Sequence, residues 1–97
     1  RKRLHLAAVF ANNFTNHCYR LAEKVLEGTD VDFSTFLPII EETAKKVSKM
    51  SPRNAQTGPM VRNDVTVMER QLNLIPDERT KKLYRLMAES IYEDSKK

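Results

Sequence analysis

Apolar side chains recur at helical spacing through the first quarter of the chain. Placed at intervals of about 100° per residue, most of those between Leu4 and Leu26 fall into one broad stripe, whereas Leu6 and Val9 lie outside it and make the first half of the helix apolar nearly all round. Gly28 follows the stripe, and glycine is the residue best suited to end a helix in a left-handed backbone. The pattern predicts a first helix from about residue 2 to Glu27. Its expected core stripe consists of Ala7, Ala8, Ala11, Phe14, Cys18, Tyr19, Leu21, Ala22, Val25 and Leu26.

The next two helices are predicted from their capping residues. Asp32 is the expected N-cap of a second helix that continues to about Met50. Pro38 lies too deep for the first turn of such a helix, which predicts a kink or a tight opening turn there. Ser51 followed by Pro52 pairs a cap with a proline at the first helical position, which predicts one short helical turn ending near residues 58–59.

Two further helices complete the predicted fold. Asp64 is the expected cap of the third main helix, which Pro76 stops, and Asp77 opens the last helix. The sequence carries no strand pattern and no internal repeat. It therefore predicts an all-α bundle of four main helices and one short helix. The expected buried positions are Val65, Met68, Leu72 and Ile75 on the third main helix and Leu83, Tyr84, Met87 and Ile91 on the last, where Lys81, Lys82, Arg85 and Glu89 are expected to face solvent.

Composition and charge limit the kinds of partner that the chain is expected to bind. A chain of 97 residues fits one small domain, and 40% apolar with 31% charged residues is typical of globular proteins. The formal charge of +4 comes with basic residues concentrated at the two ends, Arg1–Arg3 and Lys96–Lys97, which does not favour nucleic-acid binding. No apolar run approaches the roughly 20 residues of a membrane span. Cys18 has no partner for an internal disulfide, so we expect a reducing, cytoplasmic setting and a packing role for Cys18.

The start of the chain suggests a fragment of a longer protein. The sequence has no initiator methionine, and the apolar helical pattern is already established at Leu4. We therefore expect residues 1–97 to form a single helical domain that follows another domain in its parent protein.

One face of the first helix is unusually polar for its position. Asparagine inside a helix costs about 0.6 kcal/mol of helix stability relative to alanine. Asn12, Asn13 and Asn16 together would therefore cost about 2 kcal/mol. Such a face is either plain solvent-exposed surface or a polar site. Two histidines that are 12 residues apart on a straight helix cannot share one metal ion, so we expect no metal there. We refer to these residues as the polar arc: His5, Asn12, Asn13, Asn16, His17 and Arg20.

A second candidate site is the segment Thr57–Asp64. As a capped turn, it needs Gly58 for a tight bend and Asp64 for the N-cap, with Arg62 on the surface. As a binding site, it offers a threonine, an arginine and a helix N-terminus to an anion such as a carboxylate. The residues alone leave both interpretations open.

The order of three segments resembles a known family. "LHLAAVFANNFTNH", "FLPIIEETAKK" and "AQTGPMVRND" together resemble the C-terminal helical domain of the Rossmann-like proteins grouped as domain of unknown function 2520. The resemblance extends from Leu4 to about Ile91. It depends on the combination of segments, since a Thr-Gly-Pro sequence alone carries no weight.

The resemblance implies a layout like those of pyrroline-5-carboxylate reductase and of the 6-phosphogluconate and β-hydroxyacid dehydrogenases. In that layout, an N-terminal dinucleotide-binding domain holds NAD or NADP, and the C-terminal helical domain closes the substrate cleft and forms a homodimer. The resemblance implies catalytic roles for His5 and Asn13 and substrate-binding roles for Thr57, Gly58, Arg62 and Asp64, with Pro59 also matching the family pattern. Asn12 and Asn16 are expected substrate-binding residues because they belong to the polar arc.

Two departures from the family pattern affect these expectations. Asn63 stands where glycine is usual, so the turn requires an asparagine in a left-handed backbone. The lysine that β-hydroxyacid dehydrogenases place before their helix asparagine is absent, since Val9 lies four residues before Asn13. Their proton donor cannot be transferred, and His5 is the nearest candidate.

The sequence therefore predicts the substrate-cleft and dimerisation domain of an NAD(P)-dependent oxidoreductase that acts on a small polar or anionic molecule. The alternative is a helical protein-interaction module without catalysis. Neither nucleic acid nor membrane is an expected partner.

Overall fold

The computed structural model describes residues 1–96, which form helices joined by turns, with no strand among them. The predicted all-α class is confirmed: the continuous helical run over residues 2–26 and the helices over 37–49, 65–73 and 78–95 are the four main helical segments, and residues 52–55 form the short one. The elements are α1 (Lys2–Ala8), a π-helical segment (Val9–Phe14), α2 (Thr15–Leu26), a 3₁₀ turn (Phe33–Phe36), α3 (Leu37–Lys49), α4 (Pro52–Ala55), α5 (Val65–Asn73) and α6 (Glu78–Ser95).

The chain divides into two compact units. The first comprises Arg1–Thr35, and the second begins at Phe36. The first unit therefore contains α1, the π-helical segment and α2, and the second contains α3 to α6.

In the first unit, helical structure runs from Lys2 to Leu26 and ends as expected near Gly28, whose φ of +86° suits glycine. The chain then turns so that Phe33 reaches back to Tyr19, with ring centroids 6.1 Å apart. This aromatic contact covers part of α2.

The prediction of a regular α-helix with Cys18 and Val25 on its core stripe is wrong. Both side chains are exposed, Val25 by 56%. The other predicted stripe residues are divided, since Tyr19, Leu21, Ala22 and Leu26 are partly covered, whereas Ala7, Ala8, Ala11 and Phe14 are exposed. The π-helical segment is a further departure from the predicted regular α-helix. The partly covered positions on α2 include Tyr19, Ala22 and Leu26, at spacings of three and four.

The second helix begins later than predicted. Asp32 accepts a hydrogen bond from the Ser34 amide at 3.1 Å, but this bond opens the 3₁₀ turn rather than an α-helix. α3 starts at Leu37 and places Pro38 in its first turn, where the missing amide hydrogen is not needed. The predicted tight opening turn is thereby confirmed.

Three predicted caps are confirmed. Ser51 accepts from the Asn54 amide at 3.2 Å, with Pro52 at the start of α4. Asp64 accepts from the Val67 amide at 3.3 Å and begins α5. Asp77 caps α6. α4 ends at Ala55, before the predicted limit.

The small core of the second unit lies on α5 and α6 and on the turn between them. Ile75 and Ala88 are its most buried apolar residues, exposed by 8% and 9%. The Tyr84 hydroxyl on α6 donates to Gln71 Oε1 on α5 at 2.5 Å, which joins the two helices. α5 ends at Asn73, before Pro76 can stop it.

The predicted buried faces are partly wrong. Leu83, Met87 and Val65 are 39%, 55% and 50% exposed, whereas Lys81, expected in solvent, is partly covered. The reason is that the packed side of α6 passes through the small residue Ala88, which allows close approach, and this leaves Leu83 and Met87 on another face.

Candidate functional site

The π-helical segment places two asparagines of the polar arc on an irregular part of the helix. Asn12 and Asn13 both lie within Val9–Phe14. Single turns of π-helix inside α-helices are rare and frequently occur at functional sites. This backbone irregularity distinguishes the Asn12–Asn13 face from an ordinary wet helix face.

Thr15 closes this segment. Its hydroxyl donates to the carbonyl oxygen of Phe10, five residues earlier, at 2.8 Å. On the apolar side, the rings of Phe10 and Phe14 meet edge to face, with centroids 5.1 Å apart at 87°. Sequence reasoning missed Thr15. The only available signal was a threonine immediately after the asparagine pair and its flanking Phe14.

The polar arc is accessible in the chain. All six of its side chains are exposed, including Asn12, Asn13 and Asn16. Arg20 forms an ion pair with Glu23 at 3.3 Å, and both groups are about half exposed. The arc therefore presents amide, imidazole and guanidinium groups that can donate hydrogen bonds to a ligand.

The Thr57–Asp64 segment folds as a turn with a defined hydrogen-bonding pattern. The Asp64 amide donates to the Pro59 carbonyl at 2.9 Å, and the Asn63 amide donates to the Met60 carbonyl at 3.1 Å. This pair of bonds, with Asn63 at φ +52°, is the Schellman arrangement that ends a helical turn. The predicted left-handed asparagine is confirmed.

The other residues of this turn have different structural roles. Gly58 has φ +107°, a conformation in which a side chain is strained, so the bend requires glycine. One carboxylate oxygen of Asp64 is engaged by the cap of α5. Arg62 is exposed, and the Thr57 carbonyl accepts from the Gln56 side chain at 3.2 Å. The Arg62 guanidinium is thus the group in this segment best suited to hold an anion.

The two predicted sites lie in different units of the chain. His5, Asn12, Asn13 and Asn16 belong to the first unit. Thr57, Gly58, Arg62 and Asp64 belong to the second. That the two sites form a single substrate site stays a prediction.

A groove in the second unit was not foreseen. It has a volume of about 560 Å³ and is lined by α4, α6 and Val61. Across it, the Arg53 guanidinium donates to both carboxylate oxygens of Asp94, at 3.1 and 3.4 Å. Both side chains are about half exposed, so this pair adds little stability. No spacing rule connects two residues so far apart in sequence.

Within residues 1–96, no three His, Cys, Asp or Glu side chains are grouped so that they could hold a metal ion. None of the helices in the same range is long and apolar enough to cross a membrane.

Comparison with known proteins places the chain in a family. It is similar to a crystal structure described as that of a "putative NADP oxidoreductase" from Bacteroides fragilis, with 47% sequence identity and a TM-score of 0.91. The similarity covers 96% of this chain and 36% of that chain, so the present sequence spans little more than a third of that protein. No curated protein matches. Residues 1–91 match the family described as domain of unknown function (DUF2520), and the chain belongs to that family.

Proposed function

We propose that the chain is the C-terminal helical domain of an NADP-dependent oxidoreductase, where it forms part of the substrate cleft and the dimer interface. The observation that carries this proposal is the similarity, at 47% identity over 96% of this chain, to a protein named as an NADP oxidoreductase. The remaining 64% of that protein would correspond to a preceding dinucleotide-binding domain, which would hold the cofactor.

The polar arc and the Thr57–Asp64 turn supply groups for a small polar or anionic substrate. Asn12, Asn13 and Asn16 would orient polar substrate atoms through their amides. Arg62 presents a charged fork suited to a carboxylate or phosphate. His5 would transfer a proton, since an imidazole ring carries both a donor and an acceptor nitrogen. The cofactor would supply the hydride.

Exposed apolar side chains support a packing role. Leu4, Leu6, Phe10 and Phe14 in the first unit are between 52% and 75% exposed. Apolar surfaces of this kind mark interfaces in soluble proteins. A second copy of the chain or the preceding domain would cover them.

The first experiment measures cofactor binding and turnover by the longer protein that carries this segment. We expect NADPH to bind and to be oxidised in the presence of a small carbonyl- or imine-containing anion. Arg62→Lys keeps the charge but loses the fork, so KM for substrate should rise several-fold while NADPH affinity holds. His5→Gln should lower kcat instead. Arg70→Lys on exposed α5 is the matched control and should change neither.

Failure of the longer protein to bind either nicotinamide cofactor would overturn the proposal and favour an interaction module. Sedimentation of the chain tests the dimer separately. We expect association at tens of micromolar, roughly the range of a modest interface. Leu6→Glu should abolish it, whereas Thr66→Glu, which adds the same charge to exposed α5, should not. A monomer throughout that range would contradict a dimer interface on the first helix.

A further inference from the structure

The hydrogen bond of Thr15 differs from those that threonine makes in regular helices. In an α-helix, a threonine hydroxyl reaches a carbonyl three or four residues earlier. Thr43 on α3 does this, donating to the Ile39 carbonyl at 2.9 Å. Thr15 instead reaches the Phe10 carbonyl, five residues earlier, at 2.8 Å. The same residue type therefore makes an α-helical bond in one helix and a π-helical bond in the other.

The bond of Thr15 lies where the π-helical segment ends. The Thr15 amide also donates to the Asn12 carbonyl, so both donors of this residue engage the segment. Regular α-helix would move the Phe10 carbonyl out of register with Thr15 and offer the hydroxyl a carbonyl four residues earlier. A hydroxyl bond to a carbonyl four residues earlier slightly destabilises and bends an α-helix, whereas the observed bond lies within the wider π-helical turn, so it favours the π-helical register over the α-helical one.

The register decides where the polar arc points. If residues 9–14 wound as α-helix instead of π-helix, α1 would turn relative to α2 by about 100° around the helix axis. His5 lies before the π-helical segment, Asn12 and Asn13 lie within it, and Asn16 lies after it. Their relative directions are therefore set by whether residues 9–14 are π-helical or α-helical.

We infer that Thr15 is a positioning residue, whose hydroxyl holds residues 9–14 in the π-helical register and so sets the directions of the Asn12 and Asn13 amides. The effect of Thr15 on substrate binding rests on the proposed function. The effect of Thr15 on the helical register is independent of that function, since it follows from the Thr15–Phe10 bond alone.

The test compares Thr15→Val, which removes the hydroxyl at nearly constant shape, with Thr15→Ser, which keeps it. Thr43→Val is the matched control in a regular helix. Nuclear magnetic resonance of the chain would report proton–proton distances across residues 9–14. We expect Thr15→Val to replace the five-residue contacts with four-residue contacts, and Thr15→Ser and Thr43→Val to leave them. If Thr15→Val unfolds the chain, Thr15→Ala provides the same comparison.

An unchanged register in Thr15→Val would overturn the inference. In the longer protein, the displaced amides should lower kcat/KM by about 10- to 100-fold without changing NADPH affinity, and serine should restore activity. A changed register with unchanged kcat/KM would refute the role in positioning substrate. Absence of turnover in the unmodified protein would instead count against the proposed function, because the resonance measurement judges Thr15 independently.

Discussion

The left-handed backbone at Asn63 gives a prediction whose magnitude follows from the structure. Asn63 has φ +52°, and its amide closes the turn by donating to the Met60 carbonyl. For a residue with an ordinary Cβ, this conformation costs about 1–2 kcal/mol. Asparagine bears less of that cost because its short polar side chain is compatible with the left-handed region.

We therefore expect Asn63→Ala to lower the free energy of unfolding by about 1 kcal/mol. Asn63→Gly removes the steric cost but adds about 0.4–1 kcal/mol of unfolded-state entropy, so its net effect should lie near zero. For a domain of this size, 1 kcal/mol shifts Tm by roughly 4–8 °C. Heat unfolding followed by circular dichroism would resolve that difference.

The control is Asn73→Ala, since Asn73 is the last residue of α5 and has a negative φ. Alanine favours helix, so this variant should lose no stability. Equal losses for the alanine and glycine variants at position 63 would refute the argument, because a backbone cost must distinguish a residue with a Cβ from one without it.

Three further predictions concern single interactions. Desolvation raises the pKa of Tyr84 above its ordinary value of 10.0, so its contribution to stability is present below pH 10 and lost as pH rises through the folded-state pKa. Tyr84→Phe should remove a component that titrates above pH 10 from a spectroscopic tyrosine titration. Side-chain and backbone hydrogen bonds from Ser34 lower the pKa of Asp32 below 3.8. The stabilisation by these bonds is therefore present above that pH and is lost as pH falls through the pKa of Asp32 in the folded state. Ser34→Ala should raise the pKa of Asp32, measured from the nuclear magnetic resonance shift of its carboxyl group. The half-exposed Arg53–Asp94 pair should contribute at most about 1 kcal/mol, so Asp94→Asn should cost no more than that in denaturant unfolding and less at high salt.

The sequence predicted helix ends better than helix faces. Ser51, Asp64 and Asp77 were identified as caps because a cap depends on a side chain and an amide only two or three residues away. The left-handed backbone at Asn63 was expected on a different ground, because the resembled family usually has glycine at that position. Burial is different, because it depends on which neighbouring element approaches. Leu83 and Met87 have the right spacing for a core, yet Ala88 is the residue on which the helix packs.

The least predictable feature was the change of register between residues 9 and 14. A helical wheel assumes constant rotation per residue, and nothing in composition signals an added residue within a helix. Asn12, Asn13 and Asn16 would be a costly choice inside an ordinary helix. A π-helical segment explains part of that choice, because a distorted turn leaves less regular helix for a poor helix former to weaken.

The helix of the first unit has an exposed apolar surface and little packing of its own to stabilise it. This helix has no buried residue, presents large apolar side chains such as Leu4 at 75% exposure, and includes an irregular turn. A helix with these properties gains little stability from its own unit, because packing rather than propensity supplies most helical stability in proteins. Covering that surface would add about 25 cal/mol for each Å² of apolar area buried. Cover by a second copy or by a preceding domain, as proposed above, would therefore stabilise this helix.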